Sequence, residues 1–145
     1  RGRPLVKGVM REMSEQTYTI GQLCAEFDVT PRTLRFYEQR ELLTPIRDGQ
    51  KRMFTRGDRA RLKLILRGKR FGFSLEEIRQ WLSLYNSGEG RVDQLHSWLN
   101  VAKDQLDNLR AQRDEINEAM DDLLGIVKVA EAELAEFEGE RRAAG

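Results

Sequence analysis

Residues 30–38 read TPRTLRFYE, and this stretch gives the strongest local signal in the chain. Thr30 is a favourable N-cap residue, and Pro31 would take the first helical position, where its missing N–H costs nothing. The pattern predicts a helix that runs to about Arg40.

A shorter helix is predicted immediately before it. Thr19 and Gln22 have the spacing of a capping box, in which each residue satisfies a free backbone N–H of the other. This helix would run to about Phe27, and Asp28-Val29 would form the turn. Two short helices joined by a tight turn are typical of a helix-turn-helix.

The first turns of the second helix carry side chains suited to reading DNA. Leu34 and Tyr37 can share a face turned towards a core, which leaves outward positions for Arg32, Thr33 and Arg35. In helix-turn-helix proteins the N-terminal residues of the second helix meet base edges in the major groove, and arginine can bind guanine through two hydrogen bonds. The alternative is that these arginines form surface ion pairs with Glu38 and Glu41.

The segment from Leu42 to Phe54 predicts a β-wing. Two short extended arms, at 43–46 and 52–54, would flank a turn around Asp48-Gly49. Lys51 and Arg52 would lie on this wing, where their charges suit contact with phosphates or with the minor groove.

Capping signals mark two further helices. One is predicted from the capping box Thr55–Asp58 to about Phe71, with Gly72 as its C-cap, and the other from the capping box Ser74–Glu77 to about Asn86. The first of these carries a run of cations that could add phosphate contacts: Arg56, Arg59, Arg61, Lys63, Arg67, Lys69 and Arg70.

Beyond residue 91 the apolar residues repeat every seven positions. Position a is occupied by Val92, Leu99, Leu106, Arg113, Met120, Val127 and Leu134, and position d by Leu95, Ala102, Leu109, Ile116, Leu123, Ala130 and Phe137. All but Arg113 are apolar, which predicts a coiled-coil helix that needs a partner helix to cover its seam. The predicted dimer contacts are Val92, Leu95, Leu99, Ala102, Leu106, Leu109, Ile116, Met120 and Leu123.

Gly125 interrupts the helix propensity of this segment, yet the seven-residue register passes through it unbroken. A continuous helix is therefore favoured. The alternative is a stop at Leu124, with residues 126–138 folding back.

Charge is distributed unevenly along the 145 residues. Residues 1–72 carry 17 Lys/Arg and 8 Asp/Glu, a net charge of +9, whereas residues 73–145 carry 8 and 16, a net charge of −8. A strongly basic N-terminal half is typical of a surface that binds a polyanion, and the acidic half would face water or a partner protein. The alternative is that basic and acidic faces neutralise each other within the fold.

The sequence offers little material for catalysis or metal binding. An enzyme needs an activated nucleophile, an acid–base pair or a metal, and the chain has one histidine, His96, and one cysteine, Cys24. A surface or interface histidine and a small buried thiol are their ordinary roles. We therefore expect no enzyme activity, no metal and no cofactor. The chain also shows no apolar run of membrane-spanning length and no secretory signal, which predicts a cytoplasmic protein without membrane contact.

Five motifs occur in a fixed order along the chain. They are YTIGQL at 18–23, TLRFYE at 33–38, LLTP at 42–45, RMF at 52–54 and GFSLEEI at 72–78. In this order and spacing they resemble the MerR family of bacterial transcription regulators. The resemblance implies a winged helix-turn-helix followed by a long helix that pairs antiparallel with a second copy.

The resemblance also implies residue roles. Arg32, Thr33 and Arg35 would lie on the recognition helix, Tyr37 would reach a phosphate, and Arg52 would match the family's wing arginine. The usual wing tyrosine is Phe54 here, so its hydroxyl contact with a phosphate would be absent. The predicted DNA interface comprises Thr19, Arg32, Thr33, Arg35, Tyr37, Lys51, Arg52 and Phe54.

The family's usual mechanism is distortion of promoter DNA. An activator dimer bends and untwists an overlong spacer so that RNA polymerase can engage both promoter elements. Some members repress or act without an inducer. Inducer metals in the metal-sensing branch are held by cysteines beyond the dimer helix, and because this sequence has none there, we expect a short member without a metal or drug-sensing domain.

We therefore expect a mainly α protein in four parts. These are a basic extension at 1–17, a winged helix-turn-helix domain at 18–87, a coiled-coil dimerisation helix at 91–138 and a tail at 139–145. Within the extension, RGRP at 1–4 resembles the core of an AT-hook.

The leading hypothesis for function is a homodimeric, sequence-specific regulator that acts on an inverted-repeat promoter site in the bacterial nucleoid. One alternative is a non-specific architectural DNA binder whose coiled coil bridges duplexes. Another is an adaptor whose basic face binds an acidic protein.

Overall fold

The computed structural model describes residues 16–85 and 88–145 of the chain. Its elements are β1 (Thr17–Thr19), α1 (Ile20–Phe27), α2 (Pro31–Gln39), β2 (Ile46–Asp48), β3 (Lys51–Thr55), α3 (Arg56–Phe71), α4 (Leu75–Ser83) and α5 (Arg91–Ala144). The predicted fold class, a mainly α winged helix-turn-helix followed by a long helix, is confirmed. The RGRP motif at 1–4 and most of the predicted extension lie outside the described residues.

Capping residues start the helices where the sequence predicts them. Thr19, Thr30, Thr55 and Ser74 are the N-caps of α1 to α4, and each side chain accepts a hydrogen bond from the backbone N–H three residues later. The helices α1 to α3 end within one residue of their predicted ends, and Gly72 closes α3 with a left-handed φ of 85°.

The predicted end of α4 at Asn86 is wrong by three residues. The chain leaves α4 through tightened hydrogen bonds between residues three apart, from Leu84 N–H to the Trp81 carbonyl and from Tyr85 N–H to the Leu82 carbonyl. Such 3₁₀-type bonds satisfy the last carbonyls and end the regular helix at Ser83.

The wing is part of an antiparallel sheet of three strands in the order β1-β3-β2. Strand β1, which pairs Tyr18 with Phe54, has no counterpart in the sequence prediction. The hairpin turn is centred one residue later than predicted: Asp48 pairs with Lys51, so Gly49 and Gln50 are the two turn residues. Gly49 has a φ of 64°, which glycine adopts readily at the first turn position.

The core of the N-terminal unit lies between the helices and β3. Its fully buried large side chains are Leu23, Leu34, Leu42, Leu43, Phe54, Leu62, Ile65 and Ile78. Asp58 is a buried carboxylate, and it is satisfied because its two oxygens accept hydrogen bonds at 3.1 Å from the backbone N–H groups of Thr44 and Thr55. These bonds fix the loop after α2 to the start of α3. Strand β2 begins at Ile46 rather than at the predicted residue 43.

A cluster of aromatic rings joins α4 to the first turns of α5. Trp98 stacks on Trp81 with ring centroids 5.8 Å apart, and it meets Phe73 edge-on at 6.5 Å. The heptad pattern does not single out Trp98, because its position lies beside the apolar seam.

The long helix α5 is continuous from Arg91 to Ala144. It passes through Gly125, so the predicted continuous helix is confirmed and the fold-back after Leu124 is wrong. Residues 139–144, predicted as a tail, continue the helix. None of the residues of α5 is buried in the single chain. Among the described residues, no helix combines the length and the apolar character needed to cross a bilayer.

Contact patterns divide the chain into two compact units, Arg1–Leu99 and Asn100–Gly145. The first contains the sheet and helices α1 to α4, and the second consists of the remainder of α5.

Candidate nucleic-acid interface

The start of α2 presents the two arginines that the sequence assigns to base recognition. Leu34 is fully buried on the inner face of this helix, whereas Arg32 and Arg35 are exposed. Within the described parts of the chain, neither arginine forms an ion pair. The alternative that they pair with Glu38 and Glu41 is therefore not what the structure shows, and both remain available to a ligand.

The two threonines of the predicted interface have local capping contacts. The Thr33 hydroxyl lies 3.0 Å from the Thr30 hydroxyl. The Thr19 hydroxyl accepts a hydrogen bond from Gln22 N–H at 3.1 Å, while the Gln22 side chain accepts from Thr19 N–H at 2.8 Å. A hydroxyl that accepts one hydrogen bond can still donate another, so capping leaves the Thr19 hydroxyl able to contact an anion.

The aromatic rings of two predicted interface residues belong to the core. Phe54 is fully buried and pairs across the sheet with Tyr18, so its prediction as a DNA contact is corrected. Tyr37 is only 4% exposed, and burial raises the pKa of its hydroxyl. Its ring packs inside the domain, and the predicted reach of its hydroxyl to a phosphate stays a prediction.

The wing and the recognition helix are joined by one carboxylate. Glu38 of α2 accepts a hydrogen bond from Arg52 Nε at 2.5 Å and another from Arg47 Nη2 at 3.2 Å. Arg35, Gln39 and these three side chains line a cleft of about 450 Å³. The structure thus brings the recognition helix and the wing together in one cationic cleft, while Lys51 is exposed beside the hairpin turn.

Arg47 is a candidate contact that the sequence analysis missed. It lies in β2 directly opposite Arg52 of β3. The signal that could have found it is the hairpin register, because placing the turn at Gly49-Gln50 aligns the two arginines. With the turn at Asp48-Gly49, as the sequence analysis expected, Arg47 and Arg52 would not lie opposite each other.

The cations of α3 fall into two groups, those that are bonded to other parts of the fold and those that are exposed to water. Arg59 bonds to Glu26 through two nitrogens and lies 5.8 Å from the rings of both Tyr18 and Phe27. Arg61 donates to the Leu42 carbonyl at 3.0 Å. The exposed cations of this helix are Arg56, Lys63, Arg67, Lys69 and Arg70, of which Arg67 lies over the Trp81 ring.

The residues examined for other chemistry have ordinary environments. Cys24 is half-buried, and burial raises the pKa of its thiol against the opposing effect of Arg35. His96 is exposed. In the part of the chain that the structure describes, no group of three or more His, Cys, Asp or Glu side chains could hold a metal ion.

Two sequence models of one family match the chain. The model described as "MerR HTH family regulatory protein" matches residues 18–84, and that described as "MerR, DNA binding" matches residues 59–126. The chain belongs to the MerR family. The two matches together run from the first strand into α5, so MerR membership covers the wing, the helix-turn-helix and part of the long helix. MerR-family regulators are DNA-binding proteins rather than enzymes, which agrees with the expectation of no enzyme activity.

Individual MerR relatives give the same assignment. The HTH-type transcriptional regulator ZntR of Escherichia coli strain K12 is 38% identical over 88 residues, which are 59% of this chain and 58% of ZntR. This chain therefore matches little more than half the length of that relative.

Solved MerR structures have the same fold over most of the chain. HiNmlR, a MerR family regulator lacking the sensor domain and bound to promoter DNA, is 27% identical with a TM-score of 0.57, covering 73% of this chain and 80% of that chain. A MerR family regulator from Bacillus cereus is 29% identical with a TM-score of 0.57, covering 72% and 75%.

Proposed function

We propose that this protein is a sequence-specific, DNA-binding transcription regulator that acts as a homodimer on an inverted-repeat promoter site. The observation that carries the proposal is the pair of exposed arginines, Arg32 and Arg35, at the start of a capped helix beside a cationic wing. The structural likeness to HiNmlR, whose structure holds promoter DNA, supports it.

The proposed division of labour follows from where each cation lies. Arg32, Thr33 and Arg35 are at the end of α2 that a helix-turn-helix inserts into the major groove, so we assign them to base edges. The wing residues Lys51 and Arg52 are assigned to phosphates or the minor groove, because their charges suit these sites. Contacts of this kind position the protein without reading the sequence. Thr19 and Arg47 join this second group.

Dimerisation is proposed through the apolar seam of α5. The predicted contact residues are exposed in the single chain, apart from half-buried Ala102, and Leu106 and Ile116 leave 46% and 59% of their surface open to water. A helix this long with an uncovered leucine-rich stripe needs a partner, and a second copy supplies the same stripe. Antiparallel pairing, as the family resemblance implies, would hold two DNA-binding units at a fixed separation.

The proposed mode of action is promoter distortion. A dimer that bends and untwists the spacer between promoter elements would bring them into the register that RNA polymerase requires, and the energy of deforming the DNA would add to sequence discrimination. The expected partners are promoter DNA, a second copy and RNA polymerase, in the bacterial nucleoid.

Paired arginine and lysine variants test the proposal. A preferred duplex is first selected from a random library, and binding is then measured by fluorescence anisotropy against random competitor DNA. Arg35→Ala should relax base preference at one position of each half-site by about 1–3 kcal/mol, whereas Lys51→Ala should weaken binding to all duplexes nearly equally. Equal loss of discrimination in both variants would contradict the assignment.

The same assay separates the alternative of a non-specific architectural binder. A sequence-specific regulator should prefer its selected duplex over random DNA by a factor on the order of 10³ or more. An architectural binder would show no such preference, and an adaptor for acidic proteins would show no salt-dependent DNA binding.

A further inference from the structure

The contact between α2 and the wing depends on a single acidic side chain. Glu38 offers one carboxylate oxygen to Arg52 Nε at 2.5 Å and the other to Arg47 Nη2 at 3.2 Å. Both arginines lie in the part of the molecule that would face DNA, and one carboxylate therefore occupies two candidate phosphate contacts.

The hairpin register explains why a carboxylate is needed there. Arg47 and Arg52 are direct cross-strand partners, and like charges in that relation destabilise a hairpin. Glu38 reduces this repulsion and fixes the wing against the recognition helix. With Arg35 it lines the same cleft, which holds three guanidinium groups and one carboxylate.

A carboxylate and a phosphate compete for the same guanidinium geometry. Both present oxygens that match the planar donors of arginine. Glu38 is 23% exposed, and Arg47 and Arg52 are 50% and 25% exposed, so water and solutes reach the cluster. The bond between Glu38 and half-exposed Arg47 is weak enough to exchange one anion for another, whereas the bond to Arg52 is part-buried.

We propose that Glu38 is an internal substitute for a DNA phosphate, which positions the two wing arginines and sets how strongly they bind any duplex. Its charge weakens sequence-independent attraction to the DNA backbone, and its bonds keep the wing in the geometry that the operator requires. The discrimination between operator and random DNA therefore depends on Glu38, although Glu38 itself reads no base. This inference rests on the proposed function, since it takes the cleft as part of the DNA interface.

The test uses Glu38→Gln, which keeps the size of the side chain and removes its charge. The matched control is Glu41→Gln, because Glu41 is an exposed carboxylate just after the same helix and does not line the cleft. Binding of the full-length chain is measured by anisotropy over a salt series, with the selected duplex and with a random duplex.

Glu38→Gln should bind the random duplex about three- to ten-fold more tightly, the size expected when Arg47 and Arg52 are released from a partly exposed ion pair and become available to phosphates. The preference for the selected duplex should fall by a similar factor. Glu41→Gln should stay within about two-fold of wild type for both duplexes, since surface charges farther from the phosphates are screened by salt.

A second set of variants asks whether Glu38 acts through the arginines. In an Arg47→Ala/Arg52→Ala background, Glu38→Gln should leave the affinity for random DNA unchanged. An effect of the same size in both backgrounds would overturn the inference, because Glu38 would then act only as a general charge.

Tighter binding of Glu38→Gln to random DNA would exclude loss of structure as its explanation. A partly unfolded variant binds DNA more weakly, so tighter binding to random DNA cannot come from loss of structure. Unchanged or weaker binding by Glu38→Gln, with a wild-type circular dichroism spectrum, would overturn the inference. Wild-type protein that binds neither duplex would instead overturn the proposed function.

Discussion

The packing of α3 against α4 predicts opposite effects for one substitution at two positions of the same helix. Gly68 is buried near the end of α3, and a Cβ atom added there would lie 2.7 Å from Cγ1 and 3.2 Å from Cδ1 of Ile78. Ile78 is itself fully buried, so its side chain cannot move out into solvent. Gly57 lies in the first turn, where an added Cβ would be 3.6 Å from the Thr55 hydroxyl oxygen, an ordinary contact.

The sign of the stability change at each position depends on which is larger, the gain in helix propensity or the cost of overpacking. Replacing glycine by alanine inside a helix gains about 1 kcal/mol from backbone entropy. Overpacking a close-packed core typically costs about 1–3 kcal/mol, and a contact as short as 2.7 Å requires Ile78 or the helix itself to shift. Gly68→Ala should therefore lower the free energy of unfolding by up to about 2 kcal/mol, while Gly57→Ala should raise it by up to about 1 kcal/mol.

Urea denaturation followed by tryptophan fluorescence measures both effects. Trp81 and Trp98 stack beside the α3–α4 contact, so their emission reports its loss directly. All samples need the same protomer concentration, because dimerisation would add to the apparent stability. A Gly68→Ala protein about 1 kcal/mol more stable than wild type would refute the argument, since the gain in helix propensity would then appear in full and the helices would separate at no cost.

Two further predictions concern charge and the helix seam. The hydrogen bond from Arg59 lowers the pKa of Glu26, so its ionised form favours the folded state; this contribution is present above the ordinary pKa of 4.5 and is lost as pH falls through the lower folded value. Glu26→Gln should accordingly lower the melting temperature near neutral pH, and the difference from wild type should vanish in acid. A melting-temperature difference that is the same at neutral and acid pH would contradict this prediction. Leu106→Asp should give a monomer in sedimentation velocity, because a dimer would bury the new charge twice. The control Asn108→Asp adds the same charge off the seam and should remain dimeric. A dimeric Leu106→Asp protein would place the interface elsewhere.

Local chemistry explains why so much of the fold could be predicted. Each helix start depends on residues within three positions of one another, so Thr19 with Gln22 and Thr55 with Asp58 are visible in the sequence as capping boxes. The long helix was predictable for a similar reason, because a seven-residue repeat persists through Gly125. Strand β1 could not be found this way, since three residues become a strand only when β3 lies beside them.

The candidate site was predicted less completely because burial is a tertiary property. Phe54 and Tyr37 are part of motifs that suggest DNA contact, yet both rings fill the core. Arg32 and Arg35 were assigned correctly to the outer face, because the helical period alone separates them from Leu34. Helical period is a local property, whereas the burial of the Phe54 ring on the central strand β3 depends on what packs over the sheet.

The charge that the protein offers to a ligand also depends on tertiary contacts, which a net charge summed over the sequence does not show. The +9 of residues 1–72 is a sum over the sequence, and three of its arginines, Arg47, Arg52 and Arg59, are paired with acidic side chains of other elements. Arg59 is bonded to Glu26 and lies over two aromatic rings, so its charge serves to join α1 to α3. Arg52 is bonded to Glu38 inside the cleft that faces the recognition helix. Equal charges therefore have unequal consequences: removing Glu26 should alter stability, whereas removing Glu38 should alter the competition for phosphate.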